Sequence, residues 1–225
     1  MSTDTVESES PVRPKRARYR VINSIVVGVA SLAALFTLLQ VATTVTGRAL
    51  LTFGGADGRL PLVQLPQLMQ ADHAEGGSGT LADLDLSMRV LGASPMFVQA
   101  VVFVVATIGL VRIVSGISRA QPFSDGVQSN WKLLTTALLG GGLLQAALET
   151  AAWMYFSSRI GLLFGAGLGI TREEQEAFLG GDYSAIAVAL PNWPLTIIVA
   201  GLVTLALTAA FRIGARLERE ADGVV

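Results

Sequence analysis

The 225-residue chain contains no cysteine and a single histidine, His73. The lack of cysteine excludes disulfides, thiolate nucleophiles and thiolate metal sites, and one histidine excludes most imidazole-based zinc or copper sites. Charged residues make up only 15% of the chain, against roughly 25% in a soluble domain. The formal net charge of −1 argues against a strongly basic nucleic-acid-binding protein. The sequence therefore predicts no cofactor, no metal site and no nucleic-acid partner.

Hydrophobic residues, in contrast, make up 52% of the chain and are concentrated in four long runs. A membrane-spanning helix needs about 20 apolar residues, because each residue rises about 1.5 Å and the hydrocarbon core is roughly 30 Å thick. The sequence predicts spans at residues 21–46, 96–117, 133–156 and 193–211. The first run is too long for the apolar part of a cleaved signal peptide. We expect an all-α membrane protein, a bundle of four transmembrane helices with short extracytoplasmic surface helices, in one domain over residues 21–225.

The lysine and arginine residues predict the orientation of these spans. Eleven of the 16 lie in the N-terminal tail, beside the connection between spans two and three, or after span four. Because such residues resist translocation, both termini are expected in the cytoplasm. Residues 1–20 are predicted to form a disordered basic tail. The candidate contacts for anionic lipid headgroups are Arg13, Lys15, Arg16, Arg18, Arg20, Arg212, Arg216 and Arg219.

The first outer connection is predicted to fold on the membrane surface. Residues 59–65 have the pattern of a short edge strand. Further along, a capping-box pattern at residues 80–83 precedes leucines and a methionine at helical spacing. These side chains predict one face of a surface helix that ends before Pro95, where span two begins: Leu81, Leu84, Met88 and Leu91.

The second outer connection has an apolar part and a polar part. Residues 160–170 are too few to cross the membrane, so they either extend span three or return against the bundle. Thr171 and Glu174 then form a second capping-box pattern, and Gly180 is placed to end a short helix. The sequence therefore predicts a short surface helix that is capped by Thr171 and stopped by Gly180.

One acidic residue, Glu149, falls inside a predicted span. Gln145 precedes it by one helical turn and Gly141 by two, so the three share one face of span three. A carboxylate in hydrocarbon is costly and generally faces a helix-bundle interior or an aqueous cavity. Glu149 is therefore either a proton- or cation-binding group of a transport pathway or a packing group that hydrogen-bonds a neighbouring helix. Gln99 and Asn192 are its candidate partners.

Catalytic motifs are missing from the sequence. It has no Ser-His-Asp set, no His-Glu-x-x-His motif and no phosphate-binding glycine loop. His73 stands between Asp72 and Glu75 and is interpreted as a solvated loop residue rather than a metal ligand. We expect a non-enzymatic membrane protein that acts through a membrane or regulatory partner protein or modulates the envelope. The alternative function is a small transporter or channel that uses Glu149.

Two stretches of the chain resemble a known family. Residues 116–124 read Gly-Ile-Ser-Arg-Ala-Gln-Pro-Phe-Ser, and the end of the chain runs from Phe211 to Glu220 and closes with Gly-Val-Val. Both are similar to the bacterial domain-of-unknown-function 2975 family, which has a Pro-Phe loop between spans two and three. The family's basic helix after Pro-Phe has no counterpart here. The resemblance implies a bacterial inner-membrane protein, often encoded near a small helix-turn-helix regulator, and it implies no activity.

Overall fold

The computed structural model describes residues 15–52, 57–119, 124–163 and 169–222. Within these ranges the chain forms five helices: α1 Lys15–Thr46, α2 Leu86–Ser118, α3 Asp125–Arg159, α4 Arg172–Leu179 and α5 Leu195–Asp222. Four segments of this described part are long and apolar enough to cross a membrane: Asn23–Thr46, Leu86–Ser118, Asp125–Arg159 and Leu195–Leu217. The predicted all-α membrane fold with four transmembrane helices is confirmed.

The four membrane-spanning helices pack in the order in which they occur in the chain. α1 packs on α2, α2 on α3, and α3 on α5, whereas no packing of comparable extent joins α1 to α3 or α5 among the described residues. Helices α2 and α3 therefore form the centre, and α1 and α5 form the edges. We call the end at which α1 begins, α2 leads into α3 and α5 ends the basal end.

Polar side chains link neighbouring helices at both edges of this row. The hydroxyl groups of Thr135 on α3 and Thr208 on α5 are buried and lie 3.0 Å apart. On the other side, Arg89 Nη1 on α2 donates to the carbonyl oxygen of Val45 at 3.0 Å. Val45 belongs to the last turn of α1, so the guanidinium charge also favours the negative end of that helix.

The central helices α2 and α3 approach closely where Gly141 faces Val102. A Cβ atom added at Gly141 would lie 2.1 Å from Val102 Cγ2, closer than two carbon atoms can come. Small residues allow such approaches between membrane helices, whose association depends on van der Waals packing because lipid removes most of the hydrophobic driving force. Gly141 is therefore required for the observed spacing of α2 and α3.

Helix α2 begins at Leu86 rather than near residue 96, and it continues through Pro95. Proline has no N–H to donate to the carbonyl oxygen of Leu91, four residues earlier. The hydroxyl group of Ser94 donates to that oxygen instead, at 2.7 Å. This replacement contact lets the helix pass the proline without leaving the Leu91 carbonyl unsatisfied.

The predicted surface helix before Pro95 is therefore wrong as a separate element. The N-cap of α2 is Asp85, whose carboxylate accepts a hydrogen bond from the backbone N–H of Ser87 at 2.8 Å. Of the four apolar residues assigned to that helix, two precede α2 and two lie in its first turns: Leu81 and Leu84, then Met88 and Leu91. The apolar spacing reflects a shared core and not one helical face.

The start of α1 also differs from the prediction. The helix begins at Lys15, so residues 15–20, which the sequence analysis assigned to the tail of residues 1–20, are helical. Lysine and arginine are good helix formers, and these residues continue a helix that already exists in the membrane. Residues 1–14 lie outside the described part of the chain.

At the end opposite the basal end, the two long connections form a cap, which we define as the described residues of 47–85 and 160–194. Strands β1 (Leu68–His73) and β2 (Tyr183–Val188) pair antiparallel, with Leu68 opposite Val188 and His73 opposite Tyr183. The predicted strand at residues 59–65 is wrong. Residues 62–64 form a 3-10 helix after Pro61, and β1 begins only after Pro66.

The cap shares one apolar core with the ends of α2 and α3. Phe156 of α3 and Met88 of α2 are fully buried, with 0% of their surface exposed. They pack with buried residues of the cap and of the neighbouring helical turns: Leu62, Leu65, Leu68, Leu81, Leu84, Ala152, Ile160, Phe178 and Leu179. Because the core includes both parts, the cap has a fixed position on the central helices.

Helix α4 has the predicted ends. Thr171 Oγ1 accepts from the Glu174 backbone N–H at 3.2 Å, and Glu174 Oε2 accepts from the Thr171 backbone N–H at 2.9 Å, which completes the capping box. Gly180 ends the helix in the left-handed conformation, with φ 69°. Arg172 then joins Glu176 and Asp182, each at 2.8 Å, and ties α4 to the start of β2.

Candidate functional site

The structure places Glu149 where the cap meets the membrane helices. Gln145, one turn earlier on α3, is buried with 7% of its surface exposed, and Glu149 is half-buried. Both belong to the face of α3 that carries Gly141 and packs against α2. The carboxylate is therefore neither in the open lipid nor free in water.

The hydrogen-bond partner of Glu149 is Gln67 of the cap. Gln67 Nε2 lies 3.4 Å from Glu149 Oε2 and 3.4 Å from the carbonyl oxygen of Gly92 on α2. The Gln67 side chain is 3% exposed, and its backbone carbonyl accepts from the Ala189 N–H at 2.8 Å. One amide thus joins the cap to both central helices.

The approach of Gln67 to α2 depends on the absence of a side chain at Gly92. A Cβ atom added there would lie 2.8 Å from Gln67 Oε1 and 3.1 Å from Leu65 Cδ1. Gly92 therefore opens the surface of α2 at the point where the cap inserts its amide.

The partners predicted for Glu149 do not fill that role. Gln99 is half-buried on α2 and Asn192 is exposed before α5, and within the described ranges neither forms a hydrogen bond with Glu149. Sequence reasoning missed Gln67 because it lies in an outer connection, where a glutamine is expected to be solvated. Its place between Pro66 and Leu68 carries no signal that the side chain turns inward.

Two buried amide oxygens at this site have no hydrogen-bond donor within the described structure. They are Oε1 of Gln67 and Oε1 of Gln145. A buried acceptor without a donor is costly. Amide and carboxylate oxygens are the ligands that hard cations prefer, and they also accept hydrogen bonds from water. The site can therefore accept hydrogen bonds from water or coordinate a small cation beside Glu149.

Trp193, which lies just before α5, contacts α3 beside this site. Its indole Nε1 donates to Oγ1 of Thr150, the residue after Glu149, at 3.2 Å. The Thr150 hydroxyl in turn donates to the carbonyl oxygen of Ala146 at 2.8 Å. Trp193 is 55% exposed, as expected for a tryptophan at a membrane–water interface.

His73 is an exposed residue at the far end of β1. Its ring stacks on Tyr183 with the ring centroids 4.8 Å apart, and its Nε2 lies 2.9 Å from the carbonyl oxygen of Gly79. Burial, and then the charge of Asp83, raise the pKa of Tyr183 above its ordinary value. No group of three His, Asp or Glu side chains in the described residues is arranged to hold a metal ion.

The two ends of the molecule differ in charge. The cap segments 47–85 and 160–194 contain nine acidic residues and three arginines. Most other lysines and arginines lie towards the basal end, where Arg212 and Arg216 are exposed on α5. Of the remaining candidate lipid contacts, Arg13 lies outside the described residues. The structure describes only the helical backbone of the other five, which are Lys15, Arg16, Arg18, Arg20 and Arg219.

No protein-family model, curated protein or solved structure matches this chain. The resemblance of residues 116–124 and 211–220 to the domain-of-unknown-function 2975 family therefore stays a prediction. The fold establishes an integral membrane protein with four spanning helices and a folded cap.

Proposed function

We propose that this integral membrane protein is not an enzyme and acts by binding a partner protein through its cap. The observation that carries the proposal is the core that the cap shares with α2 and α3, in which Phe156 and Met88 are fully buried. A core of this kind holds the cap in one orientation and displays a fixed surface above the membrane. Fixed surfaces favour recognition because little conformational freedom is lost on binding.

The chemistry of the cap surface indicates the kind of partner. Three of its exposed carboxylates, on Asp72, Glu75 and Glu173, form no ion pair within the described residues. The guanidinium group of Arg172, in contrast, is already paired with two carboxylates. An acidic surface of this kind attracts a basic one and repels another acidic one. The partner proposed here therefore presents lysine or arginine residues to the cap.

The same charge difference supports the predicted orientation. We place the basal end and both termini in the cytoplasm of a bacterial cell and the cap outside the inner membrane, following the positive-inside rule. A reporter that is active only in the cytoplasm, fused after residue 225, tests this directly. We expect that fusion to be active. Activity of a periplasm-specific reporter at the same position would contradict the proposed orientation.

Site-directed photo-crosslinking tests the partner proposal. A photoreactive residue at Glu173 or Ser184, both exposed on the cap, is expected to give a discrete crosslinked product with another protein in native membranes. The charge reversals Glu75→Lys and Asp72→Lys should weaken that product, because they remove the attraction for a basic surface. Arg119→Glu, a reversal at the exposed basal end, is the matched control and should leave it unchanged.

The proposal fails if the product is absent, or if it is equally weakened by the cap and basal reversals. Crosslinks to lipid alone would also contradict it. Purified variants should first show the same helical content as the parent, so that a lost crosslink reports lost recognition and not a misfolded cap.

A second candidate function, transport of a proton or small cation, is favoured by one observation. Gln145 Oε1 and Gln67 Oε1 are buried without donors beside Glu149. Among the described cavities of about 300, 380 and 580 Å³, none is lined by Glu149 or Gln145. We therefore favour a packing role for Glu149.

The variants Glu149→Gln and Glu149→Leu separate the two roles in reconstituted vesicles that contain a pH-sensitive dye. Glutamine keeps a hydrogen-bonding oxygen for Gln67 but cannot carry a proton, whereas leucine can do neither. A packing role predicts normal stability for Glu149→Gln, reduced stability for Glu149→Leu and no proton flux in any variant. Proton flux in the parent that disappears in Glu149→Gln would establish transport instead.

A further inference from the structure

The basal end contains a polar cavity. It has a volume of about 580 Å³ and lies between α3 and α5. Its lining residues are spaced by four along each helix, so each helix presents one row to the other. The rows are Gln128 and Lys132 on α3, and Arg212, Arg216 and Glu220 on α5.

The cavity has an excess of positive charge. Arg216 Nε is paired with Glu220 Oε1 at 2.8 Å. Lys132 and Arg212 are exposed, and neither has a carboxylate partner in the described part of the chain. Three cations therefore share one carboxylate at a point where two helices meet. A phosphodiester would supply both the negative charge and the acceptor oxygens that these groups lack, because guanidinium and ammonium groups bind phosphate well.

The position of the cavity relates it to the membrane. The apolar segment of α5 ends at Leu217, so Arg212 and Arg216 lie in its last turns. Nearer the middle of the membrane on the same helix, Leu205 and Leu207 are 48% and 39% exposed. Large aliphatic side chains at this level are favourable against acyl chains and unfavourable in water. Helix α5 thus offers charge to a headgroup at its basal end and apolar surface to the acyl chains nearer the middle of the membrane.

An aromatic pair lies directly beside the cavity. Trp131 and Phe211 precede Lys132 and Arg212 in the sequence, and their rings stack with the centroids 5.2 Å apart. Trp131 is 8% exposed and packs in a small core with Ile113, Val127 and Leu134. This core fixes the separation of the two basic rows, so the cavity is held open by packing and not by the charged side chains themselves.

We propose that the cavity between α3 and α5 binds the phosphodiester headgroup of an anionic phospholipid, with Lys132 and Arg212 as its main contacts. Arg216 contributes to a smaller extent because Glu220 competes for it. The acyl chains extend from there towards the middle of the membrane, along Leu205 and Leu207. This proposal is independent of the partner proposed for the cap, since it concerns the opposite end of the molecule.

Trp131 provides a local measurement of this binding. With Trp153→Phe and Trp193→Phe it is the sole tryptophan, since the chain has three. Phosphatidylglycerol with brominated acyl chains, at a low fraction in phosphatidylcholine vesicles, is expected to quench Trp131 more strongly than brominated phosphatidylcholine at the same fraction. Arg212→Gln should lower the apparent affinity for brominated phosphatidylglycerol roughly five-fold.

Two further variants and one competitor make the test specific. Arg119→Gln removes an exposed charge from the same basal end outside the cavity and should leave quenching unchanged. Glu220→Gln frees Arg216 and should increase the apparent affinity. Equal losses of apparent affinity in Arg212→Gln and Arg119→Gln would show that binding depends on general surface charge, which would overturn the proposal. Displacement of the brominated lipid by inorganic phosphate at constant ionic strength would assign the cavity to a soluble anion and overturn it as well.

Discussion

The cap and the middle of the membrane helices differ in the burial of their apolar side chains. Where the cap meets α2 and α3, Leu65 and Phe156 are 0% exposed, whereas Phe97 and Val101 on α2 are 53% and 46% exposed. Water drives apolar groups together, but lipid tails solvate them about as well as protein does. Dense packing of apolar side chains is therefore found in the part of the protein that lies outside the lipid. Within the membrane, the helices depend on a few close approaches.

The largest expected effect is at the joint between these two regions. Phe156→Ala should lower the free energy of unfolding in detergent by about 3–5 kcal/mol, because it removes a fully buried ring and leaves a cavity. Phe97→Ala removes the same atoms from a side chain that is 53% exposed to lipid and should cost far less. Equal losses from the two variants would contradict the contrast between the regions.

Gly180 provides a test of how closely the backbone segments of the cap are packed. Gly180→Ala places a Cβ atom 2.2 Å from the Asp83 carbonyl oxygen at φ 69°, and the neighbour is backbone that cannot turn away. We expect a loss of about 3 kcal/mol, at the upper end for a strained left-handed residue. Gly76→Ala has the same sign of φ but nothing within 4 Å, so the difference between the variants measures the clash alone. Thermal unfolding of both proteins provides the comparison.

Gly141 gives the matching test inside the membrane. Gly141→Ala should destabilise the protein by about 2 kcal/mol through contact with Val102, as is usual for overpacking. Because that neighbour is a side chain, Val102→Ala in the same protein should restore most of the loss. Gly140→Ala, which meets nothing within 4 Å, should be neutral or stabilising. A double variant no better than Gly141→Ala would mean that the two helices are not set apart by this contact.

The smallest effect is expected from pH on helix α4. The hydrogen bond from the Thr171 backbone N–H holds the pKa of Glu174 below its ordinary value of 4.5. A carboxyl group with a lowered folded pKa stabilises the cap above its unfolded pKa, and this contribution disappears as the pH falls through the folded pKa. Glu174→Gln should therefore reduce the acid sensitivity of the cap in that range.

Glu173→Gln is the control for this measurement, since the Glu173 carboxylate forms no hydrogen bond in the described structure. Hydrogen exchange of the α4 amides between about pH 6 and about pH 3 should change its pH dependence in Glu174→Gln only. Parallel changes in the two glutamine variants would show that the helix responds to net charge rather than to its capping box.

The sequence and the structure agree best where one residue's environment follows from its neighbours. The spans could be predicted because a membrane requires a long apolar run, and the ends of α4 because Thr171, Glu174 and Gly180 act within one helical turn. The partner of Glu149 could not be predicted, because Gln67 reaches it from a different part of the chain. Contacts of that kind depend on the tertiary structure and leave no local pattern.

Pro95 shows a different limit. A proline preceded by an amphipathic stretch is a reasonable place to start a helix, and the predicted boundary there followed that rule. The helix continues because Ser94 supplies a donor for Leu91 and because Met88 is already fixed in the core of the cap. Tertiary packing on the N-terminal side thus overrides the local preference of proline.

The order in which the helices pack has a consequence for biogenesis. Each spanning helix rests on the one synthesised immediately before it, so every new hairpin can dock as soon as it enters the bilayer. The ribbon of β1 and β2 cannot, because Ser184 follows its partner Asp72 by 112 positions. We expect translation to deliver three spanning helices before β1 and β2 can pair, which makes their pairing a late step of maturation and exposes unpaired β1 to quality-control proteases until then.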